Sequence, residues 1–148
     1  MKKLFLFSLI CMVFAGCSSN NTKDYDDSEV VLEQYIQAIT DHDSNELVRL
    51  YGGSYDWLVQ FSPEENKDNK QKLIENYLKT IPQNLQLNEI VEKKEVSKDE
   101  YVYVITFKQE DGNLFEVREA DLKKSEFTYT VKKIDQQFKI MEVPPYQP

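Results

Sequence analysis

Tyr101-Val102-Tyr103-Val104-Ile105-Thr106-Phe107 decides the fold class. Every residue is β-branched or aromatic, and Tyr101, Tyr103, Ile105 and Phe107 share one face at period two, which predicts a half-buried strand. Downstream, Asp111-Gly112 is a hairpin turn signal, and Leu114 to Leu122 follows as a further strand. Phe127, Tyr129 and Val131 then alternate with polar residues in a strand reaching Ile134. Asp135-Gln136-Gln137 turns the chain into Phe138 to Val143, and Pro144-Pro145 closes it. Upstream, Leu85, Leu87 and Ile90-Val91 supply another strand. Such short connections imply an antiparallel sheet.

Before Pro82 the apolar period changes from two to that of a helix. Asp26 and Glu29 stand at capping-box spacing, and Val31, Leu32, Tyr35, Ile36 and Ile39 form one stripe. Asp41-His42-Asp43 breaks this helix. Asp43 and Glu46 open a second one carrying Leu47, Val48, Leu50 and Tyr51, with Gly52-Gly53 expected to end it in the left-handed conformation. Residues 54–61 are dense in aromatics (Tyr55, Trp57, Phe61) and fit a short helix or a short strand equally. Ser62-Pro63-Glu64-Glu65 predicts the start of a third helix, polar through Lys72 and then apolar at Leu73, Ile74, Tyr77, Leu78 and Ile81. Helices followed by a meander give an α+β fold, the helices packed on one face of the sheet.

The first 27 residues carry an address. Met1-Lys2-Lys3 precedes an apolar run from Leu4 to Ala15, too short to span a bilayer and suited to a secretory signal. The run ends Val13-Phe14-Ala15-Gly16-Cys17, which resembles the lipobox of bacterial lipoproteins, with Phe14 where Leu, Val or Ile is usual. The resemblance implies cleavage after Gly16 and lipid on Cys17, hence attachment to a bacterial cell membrane on the side away from the cytoplasm. Ordinary secretion with a free Cys17 is the alternative. Cys11, the other cysteine, lies within the signal, so a lipidated Cys17 leaves no odd thiol and no disulfide. The expected organisation is a signal over 1–16, a lipidated tether over 17–27 and one domain over 28–148.

Loss of Lys2 and Lys3 with the signal leaves 16 basic and 26 acidic residues, a formal charge of −10 against −8 for the whole chain. That balance argues against nucleic acid, whose binding depends on neutralising phosphates. The partners expected are the membrane, through Cys17, and an envelope protein or small ligand. No cofactor is expected.

The helical pair also resembles the nuclear transport factor 2-like, or cystatin-like, superfamily. The resemblance rests on Tyr35-Ile36-Gln37-Ala38-Ile39, the break at Asp41-His42-Asp43, then Glu46 to Tyr51, and on the closing hairpin Val131 to Ile140. It implies a strongly curved sheet wrapped around the helices, with a cone-shaped cavity that is catalytic in some members, ligand-binding in others and packed in many. The steroid-isomerase branch joins an Asp base to a Tyr and a protonated Asp. Tyr35 falls roughly where that branch places its tyrosine, Asp56 falls near but not at the position of the base, and residues 101–107 and 127–131 offer no third acid.

No catalytic residue is therefore assigned. Tyr35, Tyr51, Tyr55, Asp56, Trp57 and Phe61 are the candidate pocket residues. A binding or interaction module is the first expectation, and an isomerase or dehydratase the second. His42, between Asp41 and Asp43, is read as a solvated turn, since adjacent residues there do not converge as metal ligands must. Asp24-Tyr25-Asp26-Asp27 lacks the glycine and distal glutamate of a calcium loop.

Overall fold

The computed structural model describes residues 26–145, except 82, 83, 120 and 121 and the side chain of Glu119. The expected signal, Cys17 and most of the expected tether lie outside the described residues. Helix α1 (Ser28–Thr40) begins at Ser28, where the domain is expected to open, and only its cap differs from the expected Asp26. Asp27 is the cap, and its carboxylate accepts from the Glu29 and Val30 amides at 2.8 and 3.3 Å. The stripe Val31, Leu32, Tyr35, Ile36 and Ile39 is buried. After α1 the chain reverses through His42, at φ 52°. Asp43 then caps α2 (Ser44–Leu50) by accepting from the Glu46 amide at 3.1 Å.

Gly52 and Gly53 serve close approach rather than a left-handed turn; neither has positive φ. A Cβ on Gly53 would lie 2.3 Å from the Met141 carbonyl oxygen, and one on Gly52 2.8 Å from the Cβ of Lys139. The small residues let the chain after α2 lie directly against the end of the sheet. Residues Asp56–Phe61 form a 3₁₀ helix that buries Leu58.

Helix α3 is Lys70–Leu78, so the expected start at Ser62-Pro63 is corrected. Residues 63–69 make separate turns, closed by Glu65 N to Ser62 O and Asn69 N to Asn66 O. That stretch has no apolar stripe to bury, so local capping propensity alone does not hold a helix. The stretch ends at Asn69, which caps α3. Leu73, Ile74, Tyr77 and Leu78 then bury, and each of the three aliphatic chains is worth about 1.5–3 kcal/mol of transfer free energy.

The main sheet holds β1 (Gln86–Ser97), β2 (Glu100–Lys108), β5 (Glu126–Ile134) and β6 (Gln137–Ile140), antiparallel and in the order β1-β2-β5-β6. Between β2 and β5, β3 (Val117–Glu119) and β4 (Leu122–Lys124) pair only with each other. Tyr103, Ile105, Phe107, Phe127, Tyr129 and Val131 face the helices and are buried. Their alternate neighbours Val102, Val104 and Thr130 are half-buried, and Thr128 is exposed. The β5–β6 turn uses Asp135 and Gln136 at φ 50° and 68°.

The α+β layout is thus found, but the cone is not. The sheet is open, neither curled nor closed; β1 lies at one edge, and at the other Tyr51 bridges Ile140 of β6. Two features account for this. The segment expected as a strand over 114–122 leaves the sheet after one bridge, Lys108 to Leu114, and β6 is only four residues long. Four strands, one of them short, do not reach around three helices.

Candidate functional site

Tyrosine hydroxyls gather at one place between the helices and the end of the sheet. Tyr35 reaches it from α1, Tyr77 from α3, Tyr129 from the inner face of β5, and Tyr51 and Tyr55 from the chain after α2. What they surround is the segment after β6. The Met141 amide makes a further bond to the Thr130 carbonyl, at 3.0 Å. The chain then leaves β5, and the Glu142 carboxylate takes the Thr130 amide at 2.6 Å in place of a backbone carbonyl. The Tyr35 hydroxyl donates to the Glu142 carbonyl at 2.9 Å, and the Tyr77 hydroxyl to the Pro144 carbonyl. Pro144 and Pro145 are buried. Proline lacks an N–H, so this stretch offers the tyrosines acceptors and makes few demands in return.

Electrostatics keep these hydroxyls neutral. Burial pushes Tyr35 well above the ordinary phenol range, and Tyr129, Tyr51, Tyr77 and Tyr55 nearby add to it. Tyr129 is raised likewise, by burial and then by Tyr77 and Glu142. Tyr51 and Tyr55 are pushed up to about 12, chiefly by burial. Burial also raises the Glu142 carboxyl, and the hydrogen bonds from Thr130 oppose it. Neutral phenols of this kind donate to carbonyls and do not abstract protons near neutral pH.

The candidate residues divide between surroundings. Tyr35, Tyr51 and Tyr55 belong to the tyrosine groove. Tyr51 meets Tyr55 edge-on at 5.1 Å and donates to the Ser54 carbonyl at 2.8 Å. The Tyr55 hydroxyl is enclosed yet has no hydrogen-bond partner among the described residues, and the Lys70 ammonium lies 5.1 Å from its ring. Trp57 and Phe61 meet the Tyr77 ring edge-on from outside the groove, at 5.3 and 5.0 Å between centroids. Trp57 is 43% exposed. Asp56 is exposed, with its carboxylate 3.0 Å from the Ser54 hydroxyl.

No family model and no curated protein matches the chain. The site is read on its own chemistry. The hydroxyls of Tyr35, Tyr51 and Tyr77 serve backbone carbonyls, and Asp56 is not placed among them. Among the described residues no group of three His, Cys, Asp or Glu side chains could hold a metal, and no helix is long and apolar enough to cross a membrane.

Tyr77, Tyr129, Glu142 and Pro144 were not among the candidates read from the sequence. Tyr77 and Tyr129 sit at core positions of their periodic patterns, and Pro144-Pro145 reads as a terminator. The available signal was the excess of tyrosine, nine in the chain, with Tyr35, Tyr77, Tyr103 and Tyr129 at inward positions where phenylalanine would pack as well. A tyrosine chosen for a buried position needs a partner for its hydroxyl.

Proposed function

We propose that the chain is a lipid-anchored extracytoplasmic domain of the bacterial envelope that works by binding. The observation that carries the anchoring is Val13-Phe14-Ala15-Gly16-Cys17 at the end of a short apolar run behind two lysines. The position of α1 supports it. The first helix opens at Ser28, which leaves ten residues between Cys17 and the domain, a tether of about 35 Å at full stretch. Two acyl chains on one cysteine hold a protein at a membrane where a single chain would exchange.

Binding is favoured over catalysis by how the interior polar groups are used. An isomerase-type site needs a base and a hydroxyl on one substrate atom. Here the Tyr35 hydroxyl is committed to the Glu142 carbonyl, and Asp56 is out in solvent beside Ser54. The groove's chemistry is donation from neutral hydroxyls to backbone carbonyls, which recognises a chain rather than transforming one.

The test is Cys17→Ser expressed in a bacterium with labelled fatty acid, followed by membrane fractionation. Wild type should carry label and sediment with membranes, and the variant should lose both. A variant that stays with the membrane fraction would overturn the anchoring.

A further inference from the structure

We infer that the tyrosine groove is a recognition site for an extended, proline-containing peptide segment of a partner protein, and that the chain's own Glu142–Pro145 occupies it in the free state. The inference rests on the binding reading above and names the chemistry of the partner.

Three observations carry it. The groove reads main-chain carbonyls two residues apart, Glu142 through Tyr35 and Pro144 through Tyr77. Aromatic grooves recognise proline-rich segments in this way, because such a segment is already extended and its carbonyls are free. Next, the occupant is joined to the sheet only at its start. Met141 makes the last backbone ladder bond, to Thr130, and Glu142 holds on through its side chain. Release of 142–145 therefore leaves the β5–β6 pairing from Val131 to Ile134 intact. Third, among the described residues the groove has a donor that Glu142 to Pro145 leave unmet. The enclosed Tyr55 hydroxyl lies edge-on to Tyr51 with no partner among the described residues. A longer or differently placed peptide has a carbonyl to give it.

The competing occupant sets the affinity. A tethered segment acts at an effective concentration in the millimolar range, so an external peptide binds wild type weakly and binds better once the internal one is loosened. Replacing Pro144 and Pro145 by glycine loosens it without touching the tyrosines, because glycine removes the extended preorganisation.

The experiment uses the full chain and a labelled synthetic peptide spanning residues 139–146, read by fluorescence anisotropy. The Pro144→Gly/Pro145→Gly variant should bind it saturably, about tenfold or more tighter than wild type. Adding Tyr77→Phe should weaken that binding about fivefold, as expected for one lost hydrogen bond. If the double-glycine variant folds by circular dichroism yet fails to bind, the inference is wrong. Equal affinity for wild type and variant would show that residues 142–145 are no competitor and overturn it too. If the variant unfolds, those residues are part of the core and not a ligand. A wild-type dimer dissociated by the glycine variant would assign the groove to a second copy instead. None of these outcomes bears on membrane retention through Cys17, so the two readings fail separately.

Discussion

The hydroxyl of Tyr35 donates to the backbone carbonyl of Glu142 at 2.9 Å, across 107 positions of sequence. It ties the first helix to the chain that follows the last strand. Removing the hydroxyl leaves a partly buried carbonyl unpaired, so Tyr35→Phe should cost about 1–3 kcal/mol. Tyr77→Phe should cost a similar amount through Pro144. Because both bonds hold one segment, the double variant should lose less than the two single costs combined. Urea midpoints of the three variants measure this. Midpoints equal to wild type would mean the hydroxyls do not hold the segment.

Glu142 makes stability depend on pH. Burial raises its folded-state pKa above the ordinary value of 4.5. The folded protein then holds that proton more tightly, so the contribution is fully present below the unfolded value and is lost as pH rises through the folded one. Glu142→Gln keeps an acceptor for the Thr130 amide and removes the charge. Wild type should therefore lose ground against Glu142→Gln as pH rises from about 4 towards neutrality. Melting temperatures of both proteins across that range provide the check, and a gap that stays flat would contradict the account.

Packing of α3 is tested by Leu78→Ala. Leu78 is buried with Leu73, Ile74 and Tyr77, so truncation should cost about 2–5 kcal/mol. Lys67, exposed in the turns before α3, should change to Ala within about 0.5 kcal/mol of wild type. Denaturant titrations of both separate the buried stripe from the polar approach to it.

The cap of α1 gives a smaller effect. Asp27→Ala removes the acceptor for two helical amides and should cost about 1 kcal/mol. A loss well below that, read from thermal melts, would mean solvent caps the helix equally well.

What the sequence made legible was local. The alternation at Phe127, Tyr129 and Val131 and the stripe from Val31 to Ile39 predicted their own burial, because period alone sets which face turns inward. The Asp43 cap was legible from its spacing to Glu46. Ser62-Pro63-Glu64-Glu65 misled because a good cap was followed by residues with nothing to bury. Gly52-Gly53 misled because their smallness serves Lys139 and Met141, far along the chain. The cone failed because the pairing partners of residues 114–122 are not written in their own pattern. The groove was the least legible part. It joins residues 35, 77, 129 and 142, and no local rule connects a helix tyrosine with the carbonyl of a glutamate beyond the last strand.

The most direct measurement of the central claim is the intact mass of the protein extracted from bacterial membranes in detergent. The account predicts a chain that begins at Cys17, has lost residues 1–16 and carries the added mass of a diacylglyceryl group on its sulfur. A chain that retains residues 1–16, or one beginning at or near Cys17 with an unmodified thiol, would contradict it.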